Sequence, residues 1–434
     1  MPKNNRKSKG NQSHNNNNNV DVASDDEISN DGASVYSYQS DNVVPDVDGE
    51  TADANVVEKF EEKLMQAIEN ASEKSQQTRV QSLQVINDIF KHHCMFDFVE
   101  ERRATIIDIV EKSLKKGKGQ EQALAAKMAG LLMIQLEADE DVIKTLAPLL
   151  QQIALDKSSS ADARANCCSS LAGLHFLAAS EPGDCILLCQ LFEGIFAGSY
   201  SKAENTGAAT NSDNATLHAA ALAAWGLLLT LIPSGDIVSL IETKQILRSF
   251  NSMMSLLESQ HLDVRMTAGE TIALLLESGR DHDEDFLQDH FDHLIEVTKT
   301  LATDSSKYKA KRDRKQQRAT FRDVLHYFEN EDTKPNTTVQ VGSGVTKEQL
   351  ILDTWQAHHQ YDAIVNLLGS GAGIHLKENN FLRDIFDMGN SIDATQVTLQ
   401  KLSKNEKRAI QSASFKARTI TRGKNRDKRS AVMN

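Results

Sequence analysis

Five segments of this chain can be laid one on another: TRVQSLQVINDIF, QEQALAAKMAGLLM, ADARANCCSSLAGLHF, ATLHAAALAAWGLLL and LDVRMTAGETIALLL. One apolar position recurs in them at Phe90, Leu132, Leu174, Leu228 and Leu275, at intervals of 42, 42, 54 and 47 residues. Seven residues earlier stands a small or apolar side chain, at Leu83, Ala125, Cys167, Ala221 and Ala268. The longest interval holds the polar loop GSYSKAENTGAATNSDN, which accounts for its extra length. From Val56 to about Leu301 apolar residues keep helical spacing, as at Phe60, Leu64, Ile68 and again at Ile143, Leu146, Leu150, Ile153. No stretch there alternates with period two for long enough to argue a sheet.

A period of this length in an all-helical chain indicates helix pairs that stack and share one continuous core. The expected fold class is therefore all-α, an armadillo/HEAT-like α-α superhelix. Pro182 and Pro233 fall between units, where a helix must stop, and Pro148 inside a helical pattern marks an expected kink. Four regions follow from composition. Residues 1–52 are rich in Asn, Ser and Asp with almost no large apolar side chains, and read as a disordered arm. Residues 53–305 carry the repeats. Residues 306–393 open with a basic helix, pass through a polar loop at 331–345, and return to helical periodicity through Leu352, Trp355 and Ile364. Residues 394–434 form a basic tail.

Charge is divided between these regions. The chain has 48 Lys and Arg against 61 Asp and Glu, a net charge of −13, yet residues 401–434 alone hold eleven cations and two acids. Such a split points to an anionic partner for one end only. The first residues, MPKNNRKSKG, have no apolar core of a signal peptide, and no stretch approaches the length of a membrane span. Five cysteines without a secretory signal imply reduced thiols, and Cys167, Cys168, Cys185 and Cys189 sit in apolar helical patterns as buried structural residues.

Motifs for catalysis or cofactors fail on inspection. The alternating Gly369, Gly371 and Gly373 lack the preceding strand of a dinucleotide loop and the Gly-Lys-Ser/Thr of a phosphate loop, so they read as a turn between the Trp355 helix and FLRDIF. His282, His290 and His293 among Asp281, Asp283, Glu284, Asp285 and Asp289 lack HExxH spacing. No nucleophile elbow or kinase set is present. The expectation is no enzyme, no cofactor, no metal and no small-molecule substrate.

The basic stretches carry the informative chemistry. Between Lys307 and Arg322 stand eight Lys and Arg with one acid, Asp313. The candidate phosphate-binding residues here are Lys311, Arg312, Arg314, Lys315, Arg318 and Arg322. In the tail they are Lys416, Arg418, Arg422, Lys424, Arg426, Lys428 and Arg429. Clusters of this kind in an acidic protein bind phosphate backbones by releasing counterions. A bland alternative is a solvated helix face at 307–322 and a nuclear-import signal in the tail.

KYKAKRDRKQQRATFRDVLHYFE, LDTWQAHHQYDAIVNLLGSGAGIHLKENNFLRDIFDMG and FKARTITRGKNRDKR resemble segments of the interferon-related developmental regulator proteins. The resemblance covers roughly residues 56–430 and implies an armadillo-like solenoid, a family-specific C-terminal region and no catalytic activity. It further implies one of two roles. The first is binding of translationally inactive ribosomes and ribosomal RNA, with the basic extension lying where mRNA and tRNA normally run, so that translation is repressed. The alternative is transcriptional co-regulation in differentiation, with the solenoid's concave surface as scaffold for deacetylase-containing corepressor complexes. The expected location is cytoplasmic and nuclear, with no membrane partner.

Overall fold

The computed structural model of the chain describes residues 51–200, 212–304, 310–330, 335–342 and 347–391. The Asn-rich arm and the tail from 394 onward lie outside the described residues, as do Lys307 and Lys309. In order, the helices are α1 Thr51–Asn70, α2 Gln76–His92, α3 Phe96–Glu101, α4 Arg103–Lys116, α5 Gln120–Gln135, α6 Glu140–Leu155, α7 Ala161–Leu177, α8 Pro182–Phe196 and α9 Ser212–Leu229. They continue as α10 Ser234–Glu242, α11 Phe250–Met254, α12 Leu262–Arg280, α13 Phe291–Thr303 and α14 Lys311–Glu329. A hairpin of β1 Thr337–Val341 and β2 Glu348–Leu352 precedes α15 Trp355–Leu368, α16 Ala372–Glu378 and α17 Asn380–Ile385.

The five aligned segments are α2, α5, α7, α9 and α12, and each packs on the next to make one ladder of inner helices. All ten aligned positions, from Leu83 and Phe90 to Ala268 and Leu275, have no solvent exposure. The small residues among them explain why: Ala and Cys let neighbouring backbones approach, while Phe and Leu seven residues on fill the space between. The outer helices α4, α6, α8 and α13 each cover one inner partner. Pro182 opens α8 at its first helical position, Pro233 is the N-cap of α10, and Pro148 lies inside α6. Asp139 caps α6 by accepting from Asp141 N (2.9 Å) and Val142 N (3.2 Å), and Arg103 of α4 pairs with it at 2.7 Å. Asp139→Ala removes both, and a loss of about 1–2 kcal/mol is expected in denaturant unfolding.

The ladder does not end at 305. The basic helix α14 packs on α12 and pairs with α13 as the last inner helix, through buried Phe321, Val324, Tyr327 and Phe328. The boundary read at 305/306 thus falls within a helix pair.

Two expectations for the C-terminal region are corrected. Residues 337–341 are a strand rather than loop, and 348–352 are its partner rather than helix, in the register Thr337↔Leu352 to Val341↔Glu348. Val341, Leu350 and Leu352 alternate inward and pack on Tyr361 and Leu376, so period two was present but only five residues long. The glycine turn also differs. Gly369, at φ +57°, caps α15, a 3-10 turn follows, and α16 intervenes before the FLRDIF helix. The left-handed conformation favours glycine at that cap.

From Trp355 to Asn379 the chain forms a strap across the ladder's open face. Trp355 meets Tyr327 of α14, with ring centroids 6.1 Å apart, and Gln356 N donates to Glu277 of α12 (3.0 Å). His359 lies on Gly226 of α9, and Leu367 lies on Gly173 of α7 and Gly130 of α5. A Cβ at these glycines would meet those side chains at 3.0, 3.0 and 2.6 Å. Gly371 then abuts the Lys91 carbonyl of α2, His375 Nε2 donates to Phe90 O (3.0 Å), and Asn379 Nδ2 donates to Ile134 O of α5 (3.4 Å). The strap therefore runs from the last unit back to the first. At its end Arg383, with no solvent exposure, grips Glu348 of β2 through two 2.9 Å bonds and donates to Gly389 O (2.6 Å).

Candidate nucleic-acid interface

The basic helix is held in place by a polar contact as well as by its core. Arg265 of α12, 5% exposed, donates to Gln317 Oε1 at 2.8 Å, and Gln317 Nε2 donates to Leu301 O and Asp304. Gln317, Phe321, Val324 and Phe328 mark the buried side of α14. Lys311, Lys315, Arg318 and Arg322 follow at i, i+4, i+7 and i+11, so they share one flank, and the eleven-residue span is about 16 Å. Lys311, Lys315 and Arg322 are exposed and Arg318 is half-buried. Arg312 is exposed a third of a turn further round. Among the described residues none of these five makes an ion pair, the pairs present being made by other cations. Arg314 differs: it is half-buried on the core side and engaged within the fold. The structure thus brings four of the six expected cations into one stripe, leaves Arg312 beside it and withdraws Arg314. The candidates Lys416, Arg418, Arg422, Lys424, Arg426, Lys428 and Arg429 lie outside the described residues.

The opposite flank of α14 faces acids. Glu270 of α12 feels the charges of Asp362 of α15 and Asp323 of α14, and Thr320 is hydrogen-bonded to it. Loss of hydration, then repulsion from Asp362 and Asp323, pushes the Glu270 carboxyl up to about 8. Loss of hydration raises Asp362 to about 6 and raises Asp323 also, the latter opposed by His358, His326 and Arg322. Asp362 keeps solvent contact, which fits its smaller displacement. Sequence reading missed this acidic group because its members come from three separate helices. Carboxyls with raised pKa give stability that is complete below their unfolded values and is lost as pH rises through the folded ones. Half-buried His359 and buried His375, both held down near 4 by loss of hydration, act in reverse, and their contribution is lost as pH falls from about 6.5 towards 4. Stability is expected to peak near pH 6 and decline towards pH 8. In Glu270→Gln the decline in melting temperature between pH 6 and 8 should shrink markedly, and an unchanged profile would reject this role.

Other chemistry is sparse. Cys167, Cys168, Cys185 and Cys189 are buried as expected, and burial raises all four thiols. Cys94 is exposed, and its Sγ lies 3.5 Å from His375 Nδ1. Among the described residues no three His, Cys, Asp or Glu side chains are grouped to hold a metal, and no helix is long and apolar enough to cross a membrane.

A helical-repeat body with a strap across its inner ladder and a cationic stripe on its last inner helix defines an all-α solenoid protein of the armadillo/HEAT type. The chain belongs to the interferon-related developmental regulator family. The model of that family matches residues 32–329, and the model described as the interferon-related protein conserved region matches residues 379–430. The chain is 37% identical to interferon-related developmental regulator 1 of Homo sapiens over 380 residues, covering 86% of this chain and 82% of the relative. It has the same identity and coverage with the Mus musculus form. With interferon-related developmental regulator 2 of Mus musculus it is 38% identical over 384 residues, covering 87% and 84%. These relatives are named as developmental regulators and not as enzymes.

Proposed function

We propose that this protein is a non-enzymatic regulator of gene expression that binds ribosomes through ribosomal RNA and represses translation. The basic tail is the principal contact and the α14 stripe the second. The observation that carries the reading is the charge of the tail: eleven cations and two acids in residues 401–434, in a chain of net −13. Most of that tail falls within the matched conserved region, 379–430. The stripe supports it, since four unpaired cations on one flank have the chemistry to release counterions from phosphates. Binding to ribosomal RNA places the protein in the cytoplasm, and a nuclear pool is compatible with the Lys/Arg run at 422–429.

A scaffold for corepressors on the solenoid's inner surface is less well served. The strap occupies the ladder face that such a partner would use.

The test is sedimentation of the tagged full chain through sucrose gradients from growing and starved cells, beside a variant with Lys416, Arg418, Arg422, Lys424, Arg426, Lys428 and Arg429 changed to Gln. Wild-type protein should travel with ribosomal particles and the variant should not. Wild-type protein that stays at the top of every gradient rejects the proposal. On purified RNA, Lys311, Lys315, Arg318 and Arg322 changed to Gln should flatten the plot of log affinity against log salt by about 3. An unchanged slope would remove the stripe from the interface.

A further inference from the structure

We infer that the groove between residues 241–258 and 283–297 docks a cationic protein segment through two apolar side chains. Two hollows line up between these stretches of chain. The first, of about 290 Å³, is walled by Ile241, Leu247, Phe250 and Phe286 beneath a charged rim. The second, of about 260 Å³, is built on Met254, Leu257, Leu294 and Val297. Phe250 and His290, with ring centroids 5.0 Å apart, mark the division between the hollows in both stretches. Because the same two stretches wall both hollows in the same order, the hollows form one groove. The strap rests on inner helices, whereas this groove belongs to α10, α11, the loop after α12, and α13.

Size and charge together select the occupant. Each hollow falls below the roughly 300–1,000 Å³ of small-molecule sites, so single side chains suit it better than a cofactor. From Leu287 to Leu294 one wall advances by about 10–14 Å at helical rises. Three or four residues of an extended segment cover about the same distance. The rim is acidic. Residues 281–298 hold seven Asp and Glu and no Lys or Arg. All seven are exposed, and among the described residues none of them makes an ion pair. Exposed Glu242 and Glu258 add to them from the facing wall. Of the two cations at the first hollow, Arg248 is drawn aside to Glu193 (3.4 Å), which leaves Lys244 against Glu242, Asp283 and Asp285. Unpaired acids at this density repel one another and are relieved by an incoming Lys or Arg. They repel phosphates, so the partner is a protein and not a nucleic acid. The groove is thus separate in place and in sign from the α14 stripe, and the inference stands independently of the function proposed above.

The probe is a fluorescein-labelled peptide of Lys and Arg carrying a Leu and an Ile three positions apart, titrated by anisotropy with the full-length chain. Its control has Ser at both apolar positions. The apolar peptide should bind at least about tenfold tighter than the control, because two side chains leave water. Glu242→Gln, Asp285→Asn and Glu258→Gln combined should weaken it by about 3- to 30-fold. Asn251→Trp, placed at an exposed wall position of the second hollow, should remove the preference for the apolar peptide. Equal affinities for the two peptides, or wild-type affinity in both variants, overturn the inference and leave only general attraction to an acidic protein. A wild-type dimer in analytical ultracentrifugation that Asn251→Trp abolishes overturns it in favour of a second copy of this chain. Peptide affinity that rises at least about tenfold when the tail cations are changed to Gln overturns it in favour of the chain's own tail.

Discussion

Arg383→Ala should destabilise the C-terminal region by about 3–5 kcal/mol. The guanidinium has no solvent exposure, and its partner Glu348 is only 17% exposed. Beyond the two 2.9 Å bonds to Glu348 it donates to Leu376 O (2.8 Å), Gly389 O (2.6 Å) and Asn390 O (3.1 Å). Alanine removes all of them and leaves a mostly enclosed carboxylate without its counter-charge. Lysine should rescue poorly, because a single ammonium cannot reproduce the planar fork. Amide exchange across 337–352 and 376–389 should speed up, and the denaturant midpoint should fall. Exchange that stays at the wild-type rate would show that the clamp contributes little.

Gly371→Ala is expected to cost about 3 kcal/mol or more, at the upper end for overpacking. The added Cβ would stand 1.6 Å from Lys91 O and 2.6 Å from Lys91 C. These are backbone atoms in the last turn of α2, so no side chain can swing aside. The flanking bonds, His92 Nε2 with Ser370 Oγ (2.9 Å) and His375 Nε2 to Phe90 O (3.0 Å), fix the two segments at that separation. Relieving the clash therefore means lifting the strap from the first unit. Gly373, two residues on, has nothing within 4 Å of its Cβ position and φ outside the left-handed range. Its replacement by alanine within α16 should be neutral or stabilising by up to about 1 kcal/mol. The contrast is read in two thermal melts, and equal shifts would reject the close-approach argument.

The ladder was legible because a 3.6-residue pattern repeated five times leaves little freedom. Phe90, Leu132, Leu174, Leu228 and Leu275 were aligned by apolar character, and all are fully enclosed. The hairpin was not legible, since five residues of alternation in TTVQV compete with the polar composition around them. The strap was hidden for a different reason. Trp355, His359 and Leu367 show helical spacing, which establishes a helix but not the surface that receives it. Its seats were visible as Gly130, Gly173 and Gly226, yet a glycine inside a helix, Gly269 of α12 included, carries no label for what rests on it. Gly269 in fact receives Phe321 of α14 rather than the strap. Of the basic helix, the cations were evident from composition, whereas the withdrawal of Arg314 from the stripe depended on the direction of the core.

Stacked-repeat proteins ordinarily behave as one-dimensional chains of neighbours, and they fray from either end. The strap changes that connectivity. His375 is joined to Phe90 across 285 residues of sequence and Asn379 to Ile134 across 245, while Trp355 rests on the opposite end. The first and last units are thereby made neighbours, and the open stack becomes a closed circuit. Neither terminus of the stack can peel without also lifting the strap from every rung it crosses. The body gains the all-or-none melting of a globular domain, but such distant contacts close slowly in folding.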